Sequence, residues 1–396
     1  VEEKLPLWEG LPLSCQHLFA MFGASMLIPF LFQIDPAVVL LMNEINTLLY
    51  IFITKGKIPA FLGSSFAFIS PVFAVTAADG GTFAQALGGF VVAGLLFMAV
   101  ALIIRVAGIA WIDVLIPPAA MGAVVAIIGL ELAPVAAKMA GLVMDDSSAA
   151  AAAMYLDPKV LAVSLSTLTV VVLGSIVLRG FLAVIPVLLG VIWGYLAALA
   201  FGLVDFSAVA AAPWFSLPAF QRPELAWGAI LTILPAAFVV ITEHIGHLIV
   251  TGNIVGRDLP RDPGLHRSLM GDGISTTLSG LVGSVPTTTY GENIGVLAIT
   301  KVYSVRVIGG AAVISIGIAF VGKLAALVRT IPTPVMGGIC LMLFGVIAAS
   351  GIRMLVEKRV DYSRPRNLML TSVTFVVGLC GAHVKLGSVS LSGMAL

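Results

Sequence analysis

The chain of 396 residues is 60% hydrophobic and only 10% charged, which excludes the usual balance of a water-soluble globular protein. Its net charge of +1 provides no overall field for nucleic acid, so we expect no nucleic-acid partner. The three cysteines lie in apolar stretches without the spacing of a metal site, so we expect neither a metal nor another cofactor. The composition predicts an all-α polytopic protein whose main partner is the lipid bilayer.

Apolar stretches long enough to cross a bilayer recur along the whole chain. The candidate spans lie near residues 11–32, 36–54, 58–75, 82–104, 111–132, 160–178, 180–203, 226–252, 265–282, 283–303, 305–327, 331–356 and 366–384. Residues 393–396 are typical of the opening of another helix. We therefore expect fourteen helices, with the last one truncated here.

Basic residues are concentrated in the loops on one side of these alternating spans. The side that carries the N-terminus holds Lys57, Arg257 and Arg359 among many others, whereas the opposite side holds few, such as Lys138 and Arg329. Because loops rich in Lys and Arg remain in the cytoplasm, we expect a cytoplasmic N-terminus.

An internal repeat is visible in the sequence itself. The heptapeptide IPPAAMG at 116–122 recurs as IPTPVMG at 331–337, and with almost the same offset GSSFAFISP at 63–71 falls on the stretch that begins at Gly283. An odd number of spans separates the two copies, so the repeats have opposite orientations. Matched hydrophobic segments interrupted by Gly and Pro in inverted repeats indicate the substrate site of a carrier.

The second interrupted segment, GSVPTTTYGENIGVLAITK at 283–301, contains Tyr290, Glu292 and Asn293. Polar groups at membrane depth are costly and mark binding sites or ion paths. A break at Gly291 would leave backbone N–H donors beside the Glu292 carboxylate, and Phe66 in the partner segment would add an aromatic face and a further donor. Such a site suits a planar heterocycle with amide N–H and C=O groups. The alternative for the surrounding Ser and Thr residues is tight helix packing.

A carboxylate and an imidazole lie one helical turn apart in the eighth span. Glu243 and His247 have i, i+4 spacing and share one helix face. They could share a proton whose affinity depends on what else is bound. The structural alternative is a pair that only stabilises helix packing.

Four further polar residues have either a functional or a packing interpretation. Gln16 and His17 form an uncommon pair inside the first span, and Glu44 is flanked by two asparagines in the second. Asp272, between two glycines, could hydrogen-bond the neighbouring broken helix and support the site. The roles of Glu44 and Asp272 stay open.

The stretch from Glu292-Asn293-Ile294-Gly295 to Thr300-Lys301 resembles the signature of the nucleobase–ascorbate transporter (nucleobase:cation symporter) family, and Gln16-His17 resembles the pair in its first helix. Further stretches, QHLFAMFGAS, KGKIPAFLGSSFAFISPV, PPAAMGAVVAIIGLEL, RDPGLHRS and TTYGENIGV, are similar to the bacterial uracil permeases of that family. The resemblance covers essentially the whole chain.

The resemblance implies two inverted seven-helix repeats, with short antiparallel strands in helices 3 and 10. It also implies a core domain and a gate domain, each in two parts. The first parts are residues 1–110 (core) and 111–225 (gate), and the second parts are 226–330 (core) and 331–396 (gate, incomplete). A homodimer through the gate domain and a location in the bacterial inner membrane follow from the same likeness.

For function, the resemblance implies uracil import by proton symport, without enzymatic catalysis. Glu243, Glu292 and the backbone at Phe66 and Gly291 would bind uracil, while Tyr290 and His17 would line or brace the site. Protons would bind in the network of Glu243, His247 and Glu292. Gln16, Asn293, Asp272 and Phe344 are supporting candidates, and Phe344 departs from the family by standing where Tyr can occur. Alternatives are a xanthine, urate or other nucleobase carrier, a sodium-coupled carrier, or an anion channel or exchanger on the same fold.

Overall fold

The structure, a computed structural model, describes residues 1–3, 6–77, 80–108, 111, 117–381, 383–386 and 389–392. Each predicted span coincides with a helix or a broken helix. The described α-helices of nine or more residues are α1 (Leu7–Phe32), α2 (Pro36–Ile53), α3 (Ile69–Ala77), α4 (Phe83–Ala107), α5 (Pro118–Met139), α6 (Pro158–Val177), α7 (Pro186–Ala200), α8 (Trp227–Val255), α9 (Leu265–Val282), α10 (Gly291–Thr300), α11 (Val305–Ala319), α12 (Thr333–Glu357) and α13 (Pro365–Leu379).

Local sequence explains where many of these helices begin and end. Proline occupies the first turn of α2, α5, α6, α7 and α13, where its missing N–H and fixed φ are tolerated. Asp35 and Asp157 cap α2 and α6 by accepting backbone N–H groups. Gly256 and Gly283 end α8 and α9 in the left-handed conformation that glycine adopts at little cost.

Within the described residues, seven helices have the length and composition to cross a membrane, namely α1, α2, α4, α5, α6, α8 and α12. Shorter apolar helices include α7, α11 and the helical part that follows the first break, Phe66–Ala77. The chain is therefore a multi-pass helical membrane protein. The short elements arise mostly where predicted spans are interrupted.

The two interrupted spans pair with each other through short strands. Strand β1 (Leu62–Ser64) runs antiparallel to β2 (Thr287–Thr289), with Gly63 opposite Thr288. Two hydrogen bonds extend the pairing, from Ser65 N to Pro286 O and from Tyr290 N to Phe61 O, each 2.9 Å long. The predicted antiparallel strands of the third and tenth spans are present.

The proline-rich repeat also has a structural counterpart. Pro117 caps α5 and Pro332 caps α12 with nearly equal dihedral angles (φ −65°, ψ 147° and φ −66°, ψ 144°). The two helices pack along each other, and a Cβ added at Gly129 of α5 would strike the backbone of α12. Small residues allow this close approach of membrane helices. Ile116, the first residue of the repeated motif, lies outside the described residues.

Several span limits were wrong. The eleventh span was expected to reach residue 327, but α11 ends at Ala319 and a separate short helix, Gly322–Arg329, follows. The last span was expected to reach 384, but α13 ends at Leu379, and an unpredicted strand pair, β3 (His383–Leu386) and β4 (Val389–Ser392), comes after it. The opening of a further helix at 393–396 lies outside the described residues.

Candidate substrate and proton site

Two helix starts lie immediately beyond the paired strands. A short 3-10 turn begins at Phe66 after β1, and α10 begins at Gly291 after β2. Neither start has a side-chain cap, although Ser65 and Tyr290 occupy the capping positions. The first N–H groups of a helix lack intrahelical partners and carry a partial positive charge. The crossed segments thus present two sets of backbone donors.

Helix α8 packs against both of these helix starts and against β2. His247 of α8 lies with Nδ1 3.1 Å from Thr289 Oγ1. Its other ring nitrogen, Nε2, lies 3.7 Å from the position that a Cβ would take at Gly291. The imidazole is therefore held between β2 and the start of α10.

Glu243 lies one turn before His247, yet the two side chains do not form the expected direct pair. The His247 ring is oriented towards Thr289, and no hydrogen bond or ion pair joins Glu243 to His247 among the residues that the structure describes. Glu243 does lie within electrostatic range of Glu292 and Asp272. Phe66, Glu243, His247 and Glu292 are each only partly buried.

Tyr290 braces the crossed strands. Its side chain is 3% exposed, and its hydroxyl accepts hydrogen bonds from Ser64 N at 3.1 Å and from Ser25 Oγ at 3.3 Å. These contacts tie β2 to β1 and to α1. The structure therefore gives Tyr290 a supporting position, and its expected contact with substrate stays a prediction.

Asn293 and His17 are likewise joined by hydrogen bonds. Asn293 Nδ2 lies 3.1 Å from His17 Nδ1 and donates to His17 O at 3.1 Å. Both side chains are buried. The Asn293–His17 contact fastens α10 to α1 within the first turn of α10.

The other supporting candidates occupy different environments. Asp272 accepts a hydrogen bond from Thr287 of β2 at 3.4 Å. Gln16 borders a cavity of α1 with Pro12 and Phe19, apart from the crossed strands. Phe344 is buried at the α5–α12 packing contact, where its backbone faces Gly129.

Two contacts of the site were missed from the sequence, namely Thr289 with His247 and Ser25 with Tyr290. The partners are 42 and 265 residues apart along the chain. The only indication for Ser25 in the sequence was that a serine stands in an apolar span, and this does not show which residue it contacts. In the part of the chain that the structure describes, no group of three or more His, Cys, Asp and Glu is arranged to hold a metal ion.

Crossed broken helices inside a bundle of membrane helices, with carboxylates beside their free ends, define a secondary transporter by architecture. A sequence profile described as "Permease family" (Xan_ur_permease) matches residues 9–387. The chain belongs to this family of xanthine/uracil permeases, which are transporters and not enzymes. The resemblance seen in the sequence is confirmed.

Similar sequences extend over the whole chain. A "Uracil permease" of Paenibacillus larvae is 58% identical over 396 residues, covering 100% of this chain and 93% of the relative. A "Uracil permease" of Escherichia coli K12 is also 58% identical, covering 100% and 90%. One of Bacillus subtilis is 49% identical, covering 97% and 88%.

Solved structures with the same fold are distant in sequence. The transmembrane domain of the cyanobacterial bicarbonate transporter BicA matches with a TM-score of 0.67 at 16% identity, covering 95% of this chain and 97% of that one. SLC26A9 matches with a TM-score of 0.70 at 12% identity, covering 94% and 63%. These likenesses confirm the predicted inverted-repeat fold class and carry no information on substrate.

Proposed function

We propose that this chain imports uracil by proton symport. The observation that carries the proposal is the placement of Glu243 and Glu292 beside the uncapped helix starts at Phe66 and Gly291. Carboxylates accept the two ring N–H groups of uracil, and backbone N–H groups donate to its carbonyl oxygens. Full-length relatives named uracil permeases, at 58% identity, support uracil over other planar heterocycles.

The need for a coupled ion follows from the substrate. Uracil is neutral at physiological pH, so the membrane potential alone cannot accumulate it. Glu243, His247 and Glu292 are the titratable groups nearest the helix starts, and a proton bound among them can alter the hydrogen-bonding pattern offered to the substrate. Loss of that proton to the less acidic cytoplasm then favours release.

We propose that substrate crosses the membrane when a core domain moves relative to a gate domain. The core consists of residues 1–110 and 226–330, and the gate of residues 111–225 and 331–396. The crossed strands bind substrate within the core, which moves as a rigid unit. The proposal includes a location in the bacterial inner membrane with a cytoplasmic N-terminus, and a homodimer formed through the gate domain.

Uptake of labelled uracil into proteoliposomes tests the function. An imposed pH gradient, acidic outside, without sodium should drive accumulation above equilibrium in the native protein. Glu243→Gln should abolish binding and uptake, because the amide replaces one acceptor oxygen with a donor. Glu357→Gln, which alters an exposed residue paired with Arg353 at the end of α12, is the matched control and should transport normally. Undiminished accumulation by Glu243→Gln would overturn the assignment.

The alternatives give different results in the same vesicles. Sodium dependence without any effect of pH would replace the proton by sodium. Competition by excess xanthine or urate would indicate another nucleobase carrier. Electrogenic chloride flux would indicate an anion channel or exchanger. Such a protein needs a cationic centre, whereas Glu243 and Glu292 make this site acidic.

A further inference from the structure

A continuous row of buried polar side chains leads away from the acidic site. Asp272 Oδ2 lies 3.4 Å from His244 Nδ1, and His244 Nε2 lies 2.7 Å from Ser268 Oγ. Ser268 Oγ lies 2.6 Å from the hydroxyl of Tyr50. All four side chains are 0% exposed. They join α8, α9 and α2 through atoms that can each bind and release a proton.

The row begins at the proposed site. Asp272 lies within electrostatic range of Glu243 and receives the hydrogen bond of Thr287 in β2. Thr287 and Thr289 project from the same face of β2, because side chains alternate along a strand. Thr289 contacts His247. Asp272 is thus the next acidic group beyond the site along this face.

The row ends close to the side expected to be cytoplasmic. Ser268 lies in the first turn of α9, and Tyr50 lies in the last turn of α2. The loops that follow α2 and precede α9 are joined by the ion pair of Lys57 with Asp262, at 2.7 Å. A helix rises about 1.5 Å per residue, so each hydroxyl lies roughly one turn inside its loop.

We propose that Asp272, His244, Ser268 and Tyr50 form the path by which the transported proton leaves the substrate site for the cytoplasm. This inference rests on the proposed proton symport and adds the route of the proton. Ionisable chains of this kind in membrane helices serve as proton relays. Asp272 and His244 are adjacent members of the row and both are ionisable. Polar side chains that serve only to pack helices together do not need to be ionisable.

In one passage along the relay, Asp272 loses one proton, whereas His244, Ser268 and Tyr50 each receive one proton and release one. The carboxyl of Asp272 gives its proton to His244 Nδ1, while the proton on Nε2 moves to Ser268 Oγ. The hydroxyl proton of Ser268 passes to the Tyr50 oxygen. Because the Tyr50 hydroxyl is buried in this structure, Tyr50 gives its own proton to cytoplasmic water only when the adjoining ends of α2 and α9 open to that side during transport. Asp272 ends as a carboxylate, His244 ends neutral with its proton on Nδ1, and each hydroxyl keeps one proton.

Two variants interrupt the path without touching substrate, Ser268→Ala and Tyr50→Phe. The measurements are uracil binding, uracil counterflow without a pH gradient, and proton influx with net uptake under a gradient. We expect binding and counterflow to stay within about twofold of native values. Net uptake and proton influx should fall by about a hundredfold or more, the scale on which a positioned proton-transfer group contributes.

The matched control is Ser275→Ala, on the same helix as Ser268. Ser275 is equally buried, and its hydroxyl has no hydrogen-bond partner among the described residues. It should behave as native, and Ser268→Thr should restore proton influx because it keeps the hydroxyl.

The outcomes separate the relay from the proposed function. Equal losses of counterflow and net uptake in Ser268→Ala would mean a packing role, and unchanged net uptake in both variants would mean that the proton takes another path. Either result overturns the relay. Absence of proton influx in the native protein would instead overturn proton symport itself.

Discussion

The aromatic ring of Tyr290 occupies the space into which a side chain at Gly63 would project. A Cβ built at Gly63 would overlap ring atoms of Tyr290, and the Tyr290 hydroxyl is held by Ser64 N and Ser25 Oγ. The crossing of β1 and β2 therefore depends on one residue without a side chain and one with a large, anchored ring.

We predict that Gly63→Ala displaces Tyr290 and disrupts the crossing. Overpacking of this kind costs about 1–3 kcal/mol. The expected result is a lower melting temperature in detergent and loss of most uracil uptake. Gly317→Ala in α11 is the control and should be near native, because a Cβ added there would meet no described atom within 4 Å apart from its chain neighbours and its own helix backbone. Uptake at the native level by Gly63→Ala would show that the crossing does not depend on the packing of Tyr290 against Gly63.

Thr289→Val should impair proton-driven uptake while uracil binding is largely kept. The substitution keeps the shape but removes the hydroxyl that contacts His247 Nδ1. Loss of one hydrogen bond, worth about 0.5–1.5 kcal/mol, corresponds to a roughly twofold to thirteenfold slower uptake. Thr288→Val is the matched control, because the Thr288 hydroxyl has no hydrogen-bond partner within the described chain. Equal effects of the two substitutions would exclude a specific role for Thr289.

Asn293 and His17 should be energetically coupled. Asn293→Ala removes a donor to both His17 Nδ1 and His17 O, and a buried group left without its partner costs about 1–3 kcal/mol. Thermal melting of Asn293→Ala, His17→Ala and the double variant forms a double-mutant cycle. We expect the double variant to be less destabilised than the sum of the single ones. Additive effects would show that the contact contributes nothing beyond packing.

Glu44→Gln should be tolerated. Glu44 is 0% exposed, and neither carboxyl oxygen has a hydrogen bond to a described residue, although Ser315 lies nearby. Burial disfavours the charged form of a carboxyl group that lacks a partner, and a neutral amide of the same shape avoids that cost altogether. We expect unchanged or higher melting temperature and near-native uptake. Abolished uptake at normal stability would instead give Glu44 a role in transport.

Asp35→Ala should destabilise the protein more than Arg329→Ala. Asp35 accepts hydrogen bonds from Ala37 N, Ala219 N and Arg329, beside a cavity of about 450 Å³. Arg329→Ala removes only the ion pair, worth up to about 1 kcal/mol for an exposed partner. Asp35→Ala also removes the cap of α2, worth about 0.5–2 kcal/mol. The reverse order of melting temperatures would contradict this assignment.

Much of the architecture was accessible from the sequence. Hydropathy located every span, the positions of Pro and Gly located the two breaks, and the recurrence of IPPAAMG as IPTPVMG revealed the repeat. Span ends were less accurate, as at Ala319 and Leu379, because an apolar composition continues past the point where a helix stops.

The candidate site was only partly accessible. Glu243, Glu292 and His247 were identified because ionisable groups in apolar spans are conspicuous. Their partners were not, and the expected pair of Glu243 with His247 gave way to the contact of His247 with Thr289. Helical spacing shows which residues share a face, but it does not show what lies opposite that face.

Residue order alone was enough to predict that this protein crosses a membrane repeatedly, that it is built from two related halves, and that each half contains one broken span. These properties follow from residue type and order, because burial in lipid and helix interruption act locally along the chain. The folded structure was needed to show that Tyr290 rests on Gly63, that Asn293 binds His17, and that a buried row runs from Asp272 to Tyr50. Such contacts join residues from different helices, so they depend on how the helices pack.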